Sequence, residues 1–342
     1  MEATQRVMYS GDVIPRPAFL TNWERTRHSK SVHWFVECFA EALGVFFYCY
    51  AGIGATAPFV IGGILGEETI GSLLQVGFGY AFGILLAVAV CSATSGGHFS
   101  PSITLVHIIF RKFPVAKGIR YIIAQIIGAY IASLLVYVQW RDMILLAEGA
   151  LKAAGKYDAI QFTPLGTAGI FGLYINHGLH LGNTFVNEFV TDFVLGLAIW
   201  ACLDPTNVLV PPQAAPFIIS FAYAAAIWGF AIPGLALNTA RDLGGRFAAM
   251  TIWGSGAAGG SYAAVAALTN IPATLLAVLV YELMLSDSDR VLPSATLEYL
   301  RVHTQHRRNP ESVGHSTGHD HSSLSNSSTH KRDVDMTEHS PA

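Results

Sequence analysis

The chain has 342 residues, and its 20 Lys and Arg and 23 Asp and Glu make up only 13% of it. No Asp, Glu, Lys or Arg occurs at 69–110, 121–140, 205–240 or 247–281, stretches of 42, 20, 36 and 35 residues. A water-soluble helix needs a polar face, so this patterning excludes an ordinary cytosolic enzyme or nucleic-acid binder. A hydrocarbon core about 30 Å thick is crossed by about 20 apolar residues, and every gap is long enough for that. A multi-pass protein of the lipid bilayer is what remains. The net charge of −3 gives no reason to expect a polyanionic partner, nucleic acid included.

Residues 1–33 form a basic segment carrying Arg6, Arg16, Arg25, Arg27 and Lys30. It lacks an apolar block ahead of a small-residue cleavage site, so the first span is expected to act as the insertion signal. Spans are predicted at 34–54 and 71–90, separated by a connection whose charges are Glu67 and Glu68. A shorter apolar piece follows at 100–110, opened by Ser100 and Pro101, a helix-start pattern. Arg111, Lys112, Lys117 and Arg120 lead into a third span at 119–138. The connection 139–183, with weak periodicity, is expected to be an extramembrane loop folded over the mouth of the bundle. Spans at 184–203 and 214–231 come next, then a second short piece at 238–250 opened by Asn238 and Thr239. A sixth span at 262–283 exits into Arg290, Arg301, Arg307 and Arg308. Residues 286–342 are polar and expected to be a disordered Ser- and His-rich tail. Its His319-Asp-His321 lacks a regular metal-ligand spacing, so a solvated tail is the better reading.

The short pieces extend only about 16–19 Å as helices, half a bilayer each. Lys and Arg flank the connections that the positive-inside rule places in the cytoplasm, which puts both termini there. The fold expected is therefore an all-α membrane protein, with six transmembrane helices plus two re-entrant half-helices in an inverted repeat over 34–285. Glu41 near the start of the first span and Glu188 near the start of the fourth mark the repeat, as do Ser100 and Asn238. Broken helices that meet near the midplane of such a repeat belong to transport architectures. Ser95–Phe99 and Pro233–Leu237 are then irregular backbone at membrane depth, allowed only where it is buried or lines a wet cavity. Helix N-termini aimed at the centre favour uncharged permeants. No nucleophile–base pair or metal cluster stands among the spans, so no enzyme activity and no cofactor is expected. The four cysteines, Cys38, Cys49, Cys91 and Cys202, lie in apolar segments, and no disulfide framework is expected.

Two motifs carry a resemblance. Ser95-Gly-Gly-His-Phe-Ser-Pro-Ser-Ile-Thr-Leu105 resembles the first signature of the aquaporin and aquaglyceroporin (major intrinsic protein) family, usually Ser-Gly-Ala-His-Leu-Asn-Pro-Ala-Val-Thr. Gly234-Leu-Ala-Leu-Asn-Thr-Ala-Arg-Asp-Leu-Gly-Gly-Arg246 resembles the second, usually Gly-Phe-Ala-Met-Asn-Pro-Ala-Arg-Asp-Phe-Gly-Pro-Arg. Glu41, Glu188 and the run Gln125-Ile-Ile-Gly128-Ala129 match further family positions.

The resemblance implies an aquaporin-like fold and a homotetramer; the plasma membrane is expected in preference to an internal one. It implies that Arg241 is the filter cation, that His98 lines a vestibule, and that Glu41 and Glu188 orient the re-entrant loops. It gives Asp242 the role of capping loop hydrogen bonds. Counting back from the signature positions places the rest of the filter at Tyr80, Ala226 and Leu235. An aromatic, a small residue and a Leu imply a wider, more apolar constriction than a strict water filter. A structural bridge from Arg241 to Asp242 or Glu188 is the competing reading of that arginine.

The departures lie in the signature triplets, Ser100-Pro101-Ser102 and Asn238-Thr239-Ala240. Ser100 is expected to cap its half-helix, yet a hydroxyl has one donor where an amide has two. Thr239 removes a proline and is expected to bring a hydroxyl to the contact between the half-helices. The function expected is a passive channel for water, for small uncharged solutes such as glycerol, or for both. The alternative is a family member with a weak or closed pore, acting as a membrane scaffold or adhesion protein; a coupled transporter on the same frame is a third reading.

Overall fold

The computed structural model describes residues 9–67 and 69–304. Glu68, Arg6, Arg307, Arg308 and His319-Asp-His321 lie outside the described residues. Eight helices build the body: α1 (Lys30–Leu65), α2 (Leu73–Ser95), α3 (Pro101–Phe110), α4 (Val115–Ala153), α5 (Leu181–Leu203), α6 (Ala215–Phe230), α7 (Thr239–Trp253) and α8 (Tyr262–Met284). Among the described residues α1, α2, α4, α5 and α8 are long and apolar enough to cross a membrane. The segment expected as the fifth span gives α6, an apolar helix of 16 residues. Pro216 fixes its first turn, and the chain leaves helix just before Pro233, which trims both ends of the expected 214–231.

Local chemistry sets the ends. Gly66 closes α1 in the left-handed region at φ 75°, with its N–H on the Gly62 carbonyl. Ser72 caps α2 by accepting from the Gln75 N–H at 3.1 Å. Gly96, at φ 92°, ends α2 and turns the chain toward α3. Pro58 lies inside α1 without ending it, and α1 runs eleven residues past the expected end at 54 because apolar residues continue through Leu65. The turns Tyr262–Leu268 and Asn270–Met284 of α8 join through Thr269, where Pro272 removes the donor for the Leu268 carbonyl.

Packing ties the two halves of the chain together. α1 packs on α2 and α4, while α5 packs on α6 and α8. The short helices cross over: α3 from the first half packs on α8, and α7 from the second packs on α4. Small residues allow the close approaches. A Cβ on Gly128 would overlap the backbone of Ala42, so α1 and α4 meet at their backbones there. Gly83 of the Gly79-Tyr-Ala-Phe-Gly83 run faces the Tyr48 backbone, so that run serves α1–α2 packing within the chain. Exposed side chains on the outside of the bundle are mainly aliphatic and aromatic, as a lipid-facing surface requires.

Two expectations about connections are corrected. The first fifteen residues of the 139–183 connection extend α4 to Ala153 instead of forming loop. Ile144, Ala147 and Leu151 recur at helical spacing and are buried, which is what sustains the extra turns. The remainder folds back into the molecule, with Thr167, Ala168, Ile170 and Phe171 fully buried. The expectation that disorder begins at 286 is also overturned, since Ser294–Thr304 is helical with Thr296 buried. Pro293 precedes its first turn, where proline is well tolerated. The basic N-terminal segment is helical at Ala18–Arg27.

Candidate functional site

Two irregular strands of backbone meet at the centre of the bundle. In the first, Gly96, Gly97 and Phe99 have φ of 92°, 70° and 48°. In the second, Gly234 and Leu237 have φ of 105° and 63°. A left-handed conformation at Phe99 and Leu237 strains residues with a Cβ, and each is held by a buried carboxylate. Glu41 accepts from the His98 N–H at 3.0 Å and the Ser95 hydroxyl at 2.7 Å through Oε1. Its Oε2 accepts from the Phe99 N–H at 2.8 Å and from Gln125 Nε2 at 2.7 Å. Glu188 accepts from the Ala236 and Leu237 N–H groups, both at 2.7 Å. Both acids are fully buried, so these donors replace the water a carboxylate loses. Carbonyls on the opposite side are tied as well: Tyr121 donates to Ser95 O at 2.8 Å and Asn187 to Gly234 O at 3.0 Å.

The N-termini of α3 and α7 converge where these strands end. Asn238 caps α7, its Oδ1 accepting from the N–H groups of Ala240 at 2.9 Å and Arg241 at 3.3 Å. Its Nδ2 donates to the Phe99 carbonyl at 3.0 Å, joining the second strand to the first. Tyr48 donates to the same carbonyl at 3.2 Å. Ser100 does not cap α3, contrary to expectation. Its hydroxyl is drawn off by a neighbour: Ser100 Oγ pairs with Ser102 Oγ at 2.9 Å. Pro101 starts α3 regardless, because its ring presets the helical φ. Thr239 is also corrected: its hydroxyl donates to Asn270 Oδ1 on α8 at 2.9 Å, away from the contact between the short helices. Ala240 is fully buried.

A cavity of about 270 Å³ runs along both strands. At one end it is bounded by His98 and His107, whose rings stack at 4.3 Å. His98 both lines the cavity and pairs with the Thr104 hydroxyl at 3.2 Å. The middle is flanked by Phe99 and Asn238, and beyond them by Tyr80, Leu235 and Arg241. Ala226 is buried beside the cavity without lining it; Tyr223, one turn earlier on α6, and Ile227 do line it. The folded-back connection contributes Gly172 and Leu173 to the cavity lining.

Arg241 projects into this space from the first turn of α7. Its Nε donates to the Tyr80 hydroxyl at 2.9 Å and its Nη1 to the Phe171 carbonyl at 2.8 Å. It forms no ion pair among the described residues, so a bridge to Asp242 or Glu188 is not what holds it. Asp242 pairs instead with Arg246 one turn on, at 2.5 Å. Arg246 in turn donates to the carbonyls of Leu173 and Ala258, both at 3.1 Å, so Asp242 reaches the loops through that arginine. In the sequence Arg246 stands in the second motif without a role, and Tyr48, Tyr121 and Tyr223 carry no signal beyond being tyrosines in apolar spans. No cluster of three or more metal-ligating side chains occurs among the described residues. The cysteines are free thiols.

Outside the helices, Asp204 follows the last turn of α5. Burial acts to raise its carboxyl, but the N–H and hydroxyl of Thr206 and the Tyr281 hydroxyl outweigh that and hold it below the ordinary carboxylate range. Burial likewise pushes the Tyr174 phenol, in the folded-back connection, up to about 12.

Long apolar helices around two carboxylate-held backbone strands define a membrane channel fold, and residues 28–257 match the family model of the major intrinsic proteins. The chain belongs to that family. It is 57% identical over 309 residues to "Aquaporin-3" of Laccaria bicolor, covering 90% of this chain and 93% of that protein. It is 34% identical to "Aquaglyceroporin-2" of Rhizophagus irregularis over 62% of this chain and 64% of that one. Among solved structures, the aquaglyceroporin from Plasmodium falciparum shares the fold with a TM-score of 0.62 at 20% identity, over 73% of this chain and 96% of that chain.

Proposed function

We infer that this protein is a passive channel that conducts water and small uncharged solutes across a lipid bilayer. The observation that carries the reading is the cavity running past the Phe99 carbonyl, Asn238 and Arg241, with two helix N-termini facing it. Carbonyl acceptors and fixed donors replace the hydration of a neutral permeant, while Arg241 and the positive helix ends disfavour cations. The relatives named aquaporin and aquaglyceroporin support the same reading.

In this account α6 is a sixth span, and α3 and α7 are re-entrant half-helices that meet at the midplane of an inverted repeat. Both termini face the cytoplasm of a cell whose plasma membrane holds the channel as a homotetramer. Tyr80, Leu235 and Arg241 form the filter with Ala226 behind them, His98 lines the vestibule, and Glu41 and Glu188 aim the loop carbonyls. Asp242 acts through Arg246. The apolar Leu235 and the space beside Ala226 suit glycerol-sized solutes as well as water. The signature changes at Ser100 and Thr239 are the ground for the alternative, a family member with a weak or closed pore acting as a membrane scaffold or adhesion protein, which expects little or no flux of any solute.

Expression in a cell with few water channels of its own tests the reading. A hypotonic step should swell expressing cells several-fold faster than controls, and an isotonic glycerol step should do so as well. Swelling at the control rate in both would remove the channel reading and leave the scaffold.

A further inference from the structure

Away from the cavity, a cluster of cations stands where α1 and α4 begin. Trp34, in the second turn of α1, is contacted by two of them. Lys30 Nζ lies 5.3 Å from the indole centroid and the Arg120 guanidinium carbon 4.2 Å from it. Neither forms an ion pair among the described residues. Glu37, the acid on the neighbouring turn, is taken by Lys117 at 2.7 Å and His33 at 3.1 Å. Arg120 meets the indole and the Cys38 thiol but donates to no oxygen, and its Nε is enclosed without a partner. Counting Lys30, Lys117 and Arg120 against Glu37, the patch holds two uncompensated positive charges.

The surroundings are apolar and outward-facing. Phe35 is 65% exposed beside Trp34, and Ile119, Ile123, Ile127 and Ile131 of α4 form a stripe at every fourth residue, each about half exposed. Such a stripe lies along acyl chains when α4 crosses a bilayer, which sets Arg120 at its headgroup end. An ammonium and a guanidinium sharing an indole at that depth match a phosphate, since neither cation has an oxygen partner of its own among the described residues. A zwitterionic headgroup balances its phosphate with its own ammonium and so offers such a pair no net compensation, whereas an anionic headgroup does.

We propose that Lys30, Trp34 and Arg120 hold the phosphate headgroup of an anionic membrane lipid, with an acyl chain laid along Ile119, Ile123 and Ile127 of α4. The site depends on α1 and α4 lying in a bilayer and not on which solute the channel passes. Each basic residue near an anionic membrane surface strengthens binding roughly fivefold, so the two together give about a thirtyfold preference.

The full-length protein, purified and depleted of lipid, is titrated with phosphatidylserine or with phosphatidylcholine while bound lipid is counted by native mass spectrometry. Wild type should prefer phosphatidylserine about thirtyfold; Lys30→Gln or Arg120→Gln should lower that about fivefold, and Arg120→Lys should restore part of it. Water flux should stay at the wild-type level in all three. If a variant fails to fold, raising ionic strength on wild type should weaken phosphatidylserine binding and leave phosphatidylcholine unchanged. Equal binding of the two lipids by wild type, or a preference untouched by both Gln variants, would overturn the site. Displacement of the lipid by inorganic phosphate at matched concentration would overturn the assignment to lipid.

Discussion

The amide of Asn238 and the carbonyl of Phe99 are joined at 3.0 Å, and this bond ties the two irregular backbone strands together at the centre of the bundle. The side chain that makes it also caps α7 through its oxygen. At the matched position in the first half, Ser100 does neither and pairs with Ser102. The centre is therefore built on one amide instead of two.

Unequal roles imply unequal losses. Asn238→Ala removes a cap on two N–H groups and the bond to Phe99, and should cost about 2 kcal/mol or more. Ser100→Ala removes a hydroxyl pair that caps nothing, and should cost less than about 1 kcal/mol. Thermal unfolding of the two variants in detergent checks the ordering; equal losses would mean that Ser100 carries weight its hydrogen bonds do not show.

Ser100→Asn should restore the second amide. A planar amide there can donate across the centre while its oxygen caps α3, as Asn238 does for α7. Proton leak, followed by a pH-sensitive dye inside proteoliposomes, should fall below wild type with water flux retained. An unchanged leak would show that the hydroxyl pair already suffices for exclusion.

The two buried glutamates should be intolerant of amides. Glu41→Gln turns an NH2 toward some of the four donors that now meet a carboxylate, leaving at least one buried N–H without an acceptor. That costs about 1–3 kcal/mol and should free the Phe99 backbone to relax from φ 48°. Solute flux per molecule should drop several-fold even where the protein is still made. Glu188→Gln should behave alike, since both of its oxygens accept from backbone N–H groups.

Asp204 gives a pH dependence with a defined sign. Its folded carboxyl titrates below the ordinary value, so the stability it contributes is present above about pH 4 and is lost as pH falls through the folded value. Asp204→Asn should flatten the acid limb of a plot of melting temperature against pH and leave the neutral region lower than wild type. An acid limb identical in both would assign acid sensitivity to other carboxylates.

Much of this architecture is legible in the sequence, for a physical reason. Charge cannot be hidden in hydrocarbon, so the gaps at 69–110 and 205–240 each contain a helix followed by the approach to a short one. Glu41, Glu188 and Arg241 stand out because each is an ion at membrane depth. What stays hidden is set by tertiary contacts between uncharged groups. Tyr48 and Tyr121 read as apolar-span residues until their hydroxyls are found on the carbonyls of Phe99 and Ser95. The extension of α4 to Ala153 has a helical apolar spacing at Ile144, Ala147 and Leu151, but the charged residues around them mask it until the burial of that face is seen. Ser100 shows the converse: a residue type that caps helices elsewhere is drawn off by a neighbouring hydroxyl.

The most direct test is stopped-flow light scattering on proteoliposomes holding the full-length protein, run against a sucrose gradient and then a glycerol gradient. Wild type should shrink several-fold faster than empty vesicles under sucrose and re-swell faster under glycerol, with neither rate dependent on a proton or sodium gradient. Arg241→Ala should keep or raise the glycerol rate while letting protons through, because the filter loses its fixed cation. Rates equal to empty vesicles under both gradients, or flux that follows a proton or sodium gradient, would contradict a passive channel.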